Sequence, residues 1–282
     1  FTLSIVANLA CTFFGTSLSE LIGTEYSSLA IYSFVYGFFG AIISLLISKP
    51  MAKFATGAVV IDGTEGPAER WLHSEVEALS NRAGIRMPEV AIYRGSANAF
   101  ATGAFKNSAL VAVSDQIMEQ MSKDELRAVL AHEISHVANG DMVTLTLVQG
   151  VLNSFVIFFS HIIARILSSN GNSDSRRSGG AAYTLLVLLL QVVLGIFASL
   201  IVFWFSRRRE YAADAGSARL LYSPSPMISA LRRLSNLQPG VLPDSLKAMG
   251  IVEGKKTSIW STHPAIEDRI AALQNMDTSN ML

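Results

Sequence analysis

The sequence predicts an α+β protein: a mainly helical domain with a small β-sheet, on a membrane base of up to four transmembrane helices. Three observations predict it. Four long apolar blocks interrupt the chain, at 1–18, 27–48, 142–167 and 182–205. Between the second and third, an amphipathic helical pattern gives way to short strand candidates, and then to a helix that opens on a capping box. After the fourth block the pattern is helical again.

Half of the 282 residues are hydrophobic and 16% are charged, against about a quarter charged in an ordinary soluble domain. Mean hydropathy is +0.39. Basic and acidic residues both total 22, so the net charge is zero. No basic patch points to a nucleic-acid partner. Cys11 is the single cysteine, which excludes an intrachain disulfide. Its apolar neighbours offer no base to activate the thiol.

Block two carries no charge from Ser27 to Ser48. At about 1.5 Å per residue it spans about 33 Å, enough for a hydrocarbon core of about 30 Å. It follows closely on block one, which predicts an N-terminal hairpin over 1–48. Blocks three and four predict a second hairpin over 142–205. Block three holds His161 and Arg165 near its far end, and both are costly in lipid unless they reach the interface. The alternative for these two blocks is a pair of long buried helices in a soluble domain. Lys49 and Lys53 follow block two, and Arg207, Arg208 and Arg209 follow block four. By the positive-inside rule they put 49–141 and 206–282 together in the cytoplasm, as two catalytic parts. Arg176 and Arg177, in the Ser/Gly-rich loop 168–181, weigh against this.

In the polar part, Trp71, Leu72, Val76 and Leu79 recur at helical spacing and predict a helix over 67–83. Strand candidates follow at 89–93, 98–104 and 109–113, a three-stranded sheet. Ser114 or Asp115 caps a short helix to Met121. Ser122 and Glu125 form the capping box of the next helix, which ends at Asn139-Gly140. A further helix covers 207–221. Pro226 and Pro264 stand where a first-turn proline would open a helix.

The capped helix carries His132-Glu133-Ile134-Ser135-His136. Histidines four apart share one helix face, so both imidazoles can reach a single Zn²⁺. Glu133 beside them is placed to take a proton from a zinc-bound water, the logic of the H-E-x-x-H motif. A catalytic zinc takes three protein ligands and keeps one position open. Met142 stands where one known class has its third histidine, so that class is excluded. The remaining histidines are His73, His161 and His263. The other solution is a carboxylate from a second helix, which Glu210 offers. Asp214, one turn on, would accept the outer N–H of a ligand histidine and fix its tautomer. The strand at Asn98, Ala99 and Phe100 could bind an extended substrate by strand addition. His263 or Arg269 could donate to a developing oxyanion, and pairing of Arg269 with a nearby carboxylate is the alternative. Asn139-Gly140-Asp141 reads as a helix end at the membrane surface, and Tyr211 as packing.

These residues match a known family. HEISHVANGD at 132–141 followed by EYAAD at 210–214 resembles the M48 zinc peptidases, in their HtpX-type branch, with the CAAX prenyl endopeptidases as distant relatives. NAFATG at 98–103, VAVS at 111–114, DELRAVLAHEISHVANGD at 124–141 and STHP at 261–264 extend the likeness in order. The resemblance implies one zinc per chain on His132, His136 and Glu210, with Glu133 as base. It implies a membrane-bound zinc endopeptidase of the bacterial inner membrane, acting on polypeptides. Its substrates would be damaged or misfolded membrane proteins, cut on the cytoplasmic side as quality control under stress.

Three other readings compete. In an intramembrane protease the motif lies inside a spanning helix, but here Lys123, Asp124, Glu125 and Arg127 precede it. A membrane-anchored scaffold or adaptor with a structural zinc site would be favoured by loss of the base or of a ligand, and none is lost. A transporter would need ionisable residues in blocks two and four, which have none.

Overall fold

A computed structural model describes residues 24–169, 179–236 and 263–276. Block one, with the hairpin expected from it, and residues 170–178 of the Ser/Gly-rich loop lie outside the described residues. In chain order, α1 runs Thr24–Phe34, passes through a π-helical stretch at Val35–Phe39 and continues over Gly40–Thr56. Next come β1 (Val59–Ile61), α2 (Pro67–Arg82), β2 (Glu89–Tyr93), β3 (Ala99–Thr102) and β4 (Leu110–Ser114). They are followed by α3 (Asp115–Gln120), α4 (Lys123–Asn139), α5 (Asp141–Ser169), α6 (Gly179–Leu220), α7 (Ser225–Asn236) and α8 (Ile266–Gln274). The described residues fall into two compact units, one drawn from 1–44 and 146–202 and the other from 45–145 and 203–282.

Among the described residues, three helices are long and apolar enough to cross a membrane: Tyr26–Thr56, Asp141–Ser168 and Gly180–Leu220. Only 6% and 11% of the apolar windows of the second and third are buried. Within the described residues, blocks three and four are therefore not buried as the soluble-helix alternative would have them. Leu185, Leu189, Val192 and Phe197 are each more than half exposed, which suits lipid and not water. Within this first unit the ionisable groups find local partners. His161 Nδ1 lies 3.1 Å from the Tyr183 hydroxyl, and the Arg165 guanidinium sits over the Tyr26 ring at 5.9 Å. The π-helical stretch presents Gly37 to Ser154 so closely that a Cβ would come within 2.4 Å of the Ser154 backbone nitrogen. Block two was expected to stop at Ser48, yet α1 runs through Pro50 to Thr56. The stop comes at Gly57, where the backbone turns left-handed (φ 65) and glycine carries no Cβ penalty.

The second unit is built on a mixed sheet in the order β1-β2-β4-β3. β2 and β4 are parallel, while β1 on β2 and β3 on β4 are antiparallel. The sheet has four strands, one more than the sequence predicts. Val59-Val60-Ile61 is too short to show an alternation, and two of its three side chains face solvent, so no periodic signal marks it. Both faces of the sheet are covered. Val90, Ala101, Val111 and Val113 pack with Leu72, Val76 and Leu79 of α2 and with Val129, Leu130 and Ile134 of α4. Ala91, Tyr93, Phe100, Leu110 and Ala112 close on Ala52 on the other face. Two-sided burial is why β4 reads as an unbroken apolar run.

α4 begins at Ser122, whose hydroxyl accepts from the Glu125 backbone N–H while the Glu125 carboxylate accepts from the Ser122 N–H. Such a cap contributes about 1 kcal/mol. Gly140 ends the helix in the left-handed region (φ 70), a conformation a residue with a Cβ adopts only at a cost. Ser114 caps α3 by accepting from Ile117. The helix expected at 207–221 is the last third of α6. Pro226 lies in the first turn of α7. Pro264 stands before the cap of α8, which is Ala265. It therefore shapes the approach to that helix and does not open it.

Candidate metal centre and active site

α4 is buried from Leu126 through Val137 except at Arg127, so His132, Glu133 and His136 sit in the interior of the second unit. The two imidazoles face one another with Nε2 atoms 3.0 Å apart. Glu210 reaches them from α6. Its Oε1 is 3.3 Å from His136 Nε2 and its Oε2 is 3.6 Å from His132 Nε2. One ligand atom from each of these three residues lies within 4.8 Å of the others, a group that could hold a metal ion. The structure thus brings together the three residues expected to bind metal.

Small residues let α6 approach. A Cβ on Gly216 would come within 2.5 Å of the Ser135 hydroxyl, and the Ser217 hydroxyl donates to the Ala128 carbonyl at 2.9 Å. Without that close contact the Glu210 carboxylate would stand off from the histidines.

Each imidazole has a carboxylate at its outer nitrogen. His132 Nδ1 is 2.9 Å from Asp214 Oδ1, and His136 Nδ1 is 2.6 Å from Asp141 Oδ2. An ionised carboxylate only accepts, so a neutral ring held in this way carries its proton on Nδ1 and presents a lone pair at Nε2. Two lone pairs at 3.0 Å with a carboxylate beside them repel, unless a positive charge stands among them. Burial works against charge on His136, yet the Asp141 and Glu210 carboxylates outweigh it and push its pKa up to about 10. His132 is raised in the same way, with Asp214 and Glu210 overcoming burial. Glu210 Oε2 is buried and accepts no well-aligned hydrogen bond, although His263 Nδ1 is 2.8 Å away. The donor set, its tautomers and this under-satisfied oxygen all fit a divalent cation.

Glu133 is 2% exposed. Burial raises its pKa above the ordinary glutamate value, while His132 and His136 oppose the rise. A carboxyl so raised holds a proton more readily than an exposed glutamate, which suits a group that takes a proton and passes it on. Arg269 is fully buried and clamps Asp214 with two hydrogen bonds, Nε to Oδ2 at 2.8 Å and NH2 to Oδ1 at 2.7 Å. Its NH1 is 3.4 Å from Glu210 Oε2. The guanidinium is engaged by carboxylates, the alternative its sequence position left open. His263 adjoins Glu210, as the distance above shows.

β3 lies at the edge of the sheet. The side chains of Asn98, Ala99 and Phe100 are all buried, so an extended chain could use only their backbone edge. Asn98 is fixed there by its own backbone, donating from N to the Ser114 hydroxyl and accepting at O from the Ser114 N–H. Beyond the strand, Thr102, Gly103, Phe105, Val137 and Met142 line a narrow pocket with His136.

Asp141 is the site residue the sequence reading passed over, taking Asn139-Gly140-Asp141 as a helix end alone. The signal was an acidic residue directly after a left-handed glycine, five residues past the second histidine.

Comparison with known proteins agrees with this geometry. The profile of peptidase family M48 matches residues 67–277. The chain is 54% identical over 255 residues to a protein named Protease HtpX homolog from Janthinobacterium sp. (strain Marseille), covering 90% of this chain and 88% of the relative. A protein of the same name from Herminiimonas arsenicoxydans is 56% identical over 259 residues, covering 90% and 88%. One from Verminephrobacter eiseniae (strain EF01-2) is 49% identical over 285 residues, covering 97% of each. The fold resembles the crystal structure of S. mikatae Ste24p with a TM-score of 0.58 at 20% identity. That match covers 96% of this chain and 64% of the larger protein. The chain belongs to peptidase family M48 and is a membrane metalloprotease.

Proposed function

We propose that the chain is a zinc endopeptidase that cuts damaged or misfolded membrane proteins on the cytoplasmic side of the bacterial inner membrane. One observation carries the reading: His132, His136 and Glu210 converge, with buried Glu133 between the two histidines in sequence. Two imidazoles and one carboxylate form the donor set typical of catalytic zinc, which keeps its fourth position for water or substrate. When bound, the ion supplies Lewis acidity, polarising a peptide carbonyl and making water easier to deprotonate.

The protein's own groups do the rest. Glu133 takes the proton of the attacking water and passes it to the leaving amide nitrogen. Asp214 holds His132 in the tautomer that presents Nε2, and Arg269 holds Asp214. His263, beside Glu210, is placed to donate to the oxyanion as it develops. The substrate lies extended along β3, beside Asn98, Ala99 and Phe100, and bonds to the strand's backbone groups that face away from β4; those of Asn98 are already taken by Ser114. Backbone recognition demands little of sequence and much of extended, unfolded chain, which suits quality control. Three apolar helices among the described residues support a location in the bilayer, beside membrane-protein substrates. Lys49, Lys53 and Arg207–Arg209 at their ends support a cytoplasmic site.

The test is Glu133→Gln in the full chain, with metal analysis and an assay on an unfolded membrane-protein substrate. Zinc is retained at one per chain, and turnover falls by about 10²–10⁴ or more. Turnover near wild type would remove Glu133 as base. Absence of zinc from the wild type would overturn the zinc assignment, whereas zinc without turnover in the wild type would favour a scaffold with a structural zinc site.

A further inference from the structure

Asp141 is the first residue of α5, directly after the left-handed Gly140 that ends α4. Its side chain turns back, and Oδ2 lies 2.6 Å from His136 Nδ1. The Arg209 guanidinium donates from NH1 to the Asp141 backbone carbonyl at 2.5 Å and stands 4.0 Å from its Oδ1. Arg209 is the immediate neighbour of Glu210 in sequence. Asp141 therefore touches one metal-site histidine and, through Arg209, the backbone next to the third ligand.

The two outer carboxylates are not equivalent. Asp214 is neutralised by a bidentate guanidinium at 2.7–2.8 Å. Arg209 spends its close contact on the Asp141 carbonyl and leaves the carboxylate at arm's length. Asp141 thus keeps more of its negative charge for the imidazole, and its contact is the shorter of the two, 2.6 against 2.9 Å. A carboxylate on Nδ1–H makes Nε2 more basic and holds the ring plane.

We propose that Asp141 is a positioning residue for the metal: it fixes His136 as an Nε2 donor, makes it the stronger of the two imidazole ligands, and ties its orientation to the Glu210 helix through Arg209. The proposal rests on His132, His136 and Glu210 holding zinc, as argued above. A merely structural role also exists, since an aspartate at a helix N-terminus is favourable by itself. The two roles differ in what they move.

The experiment is zinc affinity, measured by chelator competition on the purified full-length protein in detergent, for wild type, Asp141→Ala, Asp141→Asn, Glu210→Ala, His136→Ala and the His136→Ala/Asp141→Ala double variant. Circular dichroism checks each fold. Asp141→Ala weakens zinc binding about 10–100-fold, and Asp141→Asn, which keeps an acceptor and loses the charge, weakens it less. In the His136→Ala background the Asp141 change has no further effect, because its target is gone. A helix-end role would leave affinity unchanged in both backgrounds. If Asp141→Ala does not fold, Asp141→Asn alone decides, and affinity within about twofold of wild type overturns the proposal. Zinc missing from the wild type overturns this proposal and the zinc reading together. Zinc lost in Glu210→Ala but retained in Asp141→Ala overturns this one only.

Discussion

Gly216 faces Ser135 across α4 and α6 with no space for a Cβ, which would meet the Ser135 hydroxyl at 2.5 Å and its Cβ at 2.7 Å. The residue between the two motif histidines thus sets how near Glu210 can come. Gly216→Ala forces the helices apart at that point. It costs about 1–3 kcal/mol, as overpacking does, and lowers zinc affinity even though alanine is the better helix former. Thermal unfolding and zinc titration of the variant check this. Wild-type values for both would show that the helices slide without consequence.

Arg269 is the buried cation that balances Asp214. Arg269→Met leaves that carboxylate uncompensated and destabilises the protein by about 3–5 kcal/mol. Adding Asp214→Asn recovers much of the stability by removing the stranded charge. It does not restore wild-type zinc affinity, because His132 has lost its charged partner. Denaturation and metal competition on the single and double variants separate the two effects. Equal recovery of both would make the clamp structural alone.

The acid limb of activity follows from Glu133. Burial raises its pKa above 4.5, with the histidines opposing. The base works only as the carboxylate, and burial favours the protonated form. Activity is therefore present above the raised value and is lost as pH falls through it, sooner than for an exposed glutamate. The pH profile of kcat/KM reports this group in the free enzyme. A single-proton limb above 4.5 is expected, and one at or below that pH would contradict the desolvation argument.

In the first unit, Gly37 and Gly40 form an internal control. A Cβ at Gly37 meets the Ser154 backbone at 2.4 Å, whereas one at Gly40 meets nothing within 4 Å. Helix propensity alone predicts that alanine stabilises both by up to about 1 kcal/mol. The contact reverses this at Gly37, where alanine destabilises by about 1–3 kcal/mol. Unfolding of the two variants in detergent tests the difference, and equal behaviour would show that α1 and α5 do not pack as closely as described.

What the sequence made legible was local. Ser122 and Glu125 stand three residues apart, and His132 and His136 four apart, so the capping box and the paired ligands follow from helix geometry without tertiary knowledge. The partnership of Glu210 with that pair came from the chemistry's need for a third ligand, and Asp214 followed by one helical turn. β1 was illegible because three residues hold less than two strand periods. The role of Asp141 was illegible because its side chain points back past a left-handed glycine, a reversal that no periodic pattern encodes. Arg269 lies 55 positions from Asp214, and only the fold shows which of its possible partners it takes.

That long separation orders events during synthesis. Until the stretch carrying Arg269 has left the ribosome, Asp214 and Glu210 have no guanidinium to balance them, and a closed site would trap bare carboxylates in a dry interior. A partly made chain therefore gains little by shutting the pocket early. Closure of the metal site and arrival of the 263–276 segment are thereby coupled through one guanidinium.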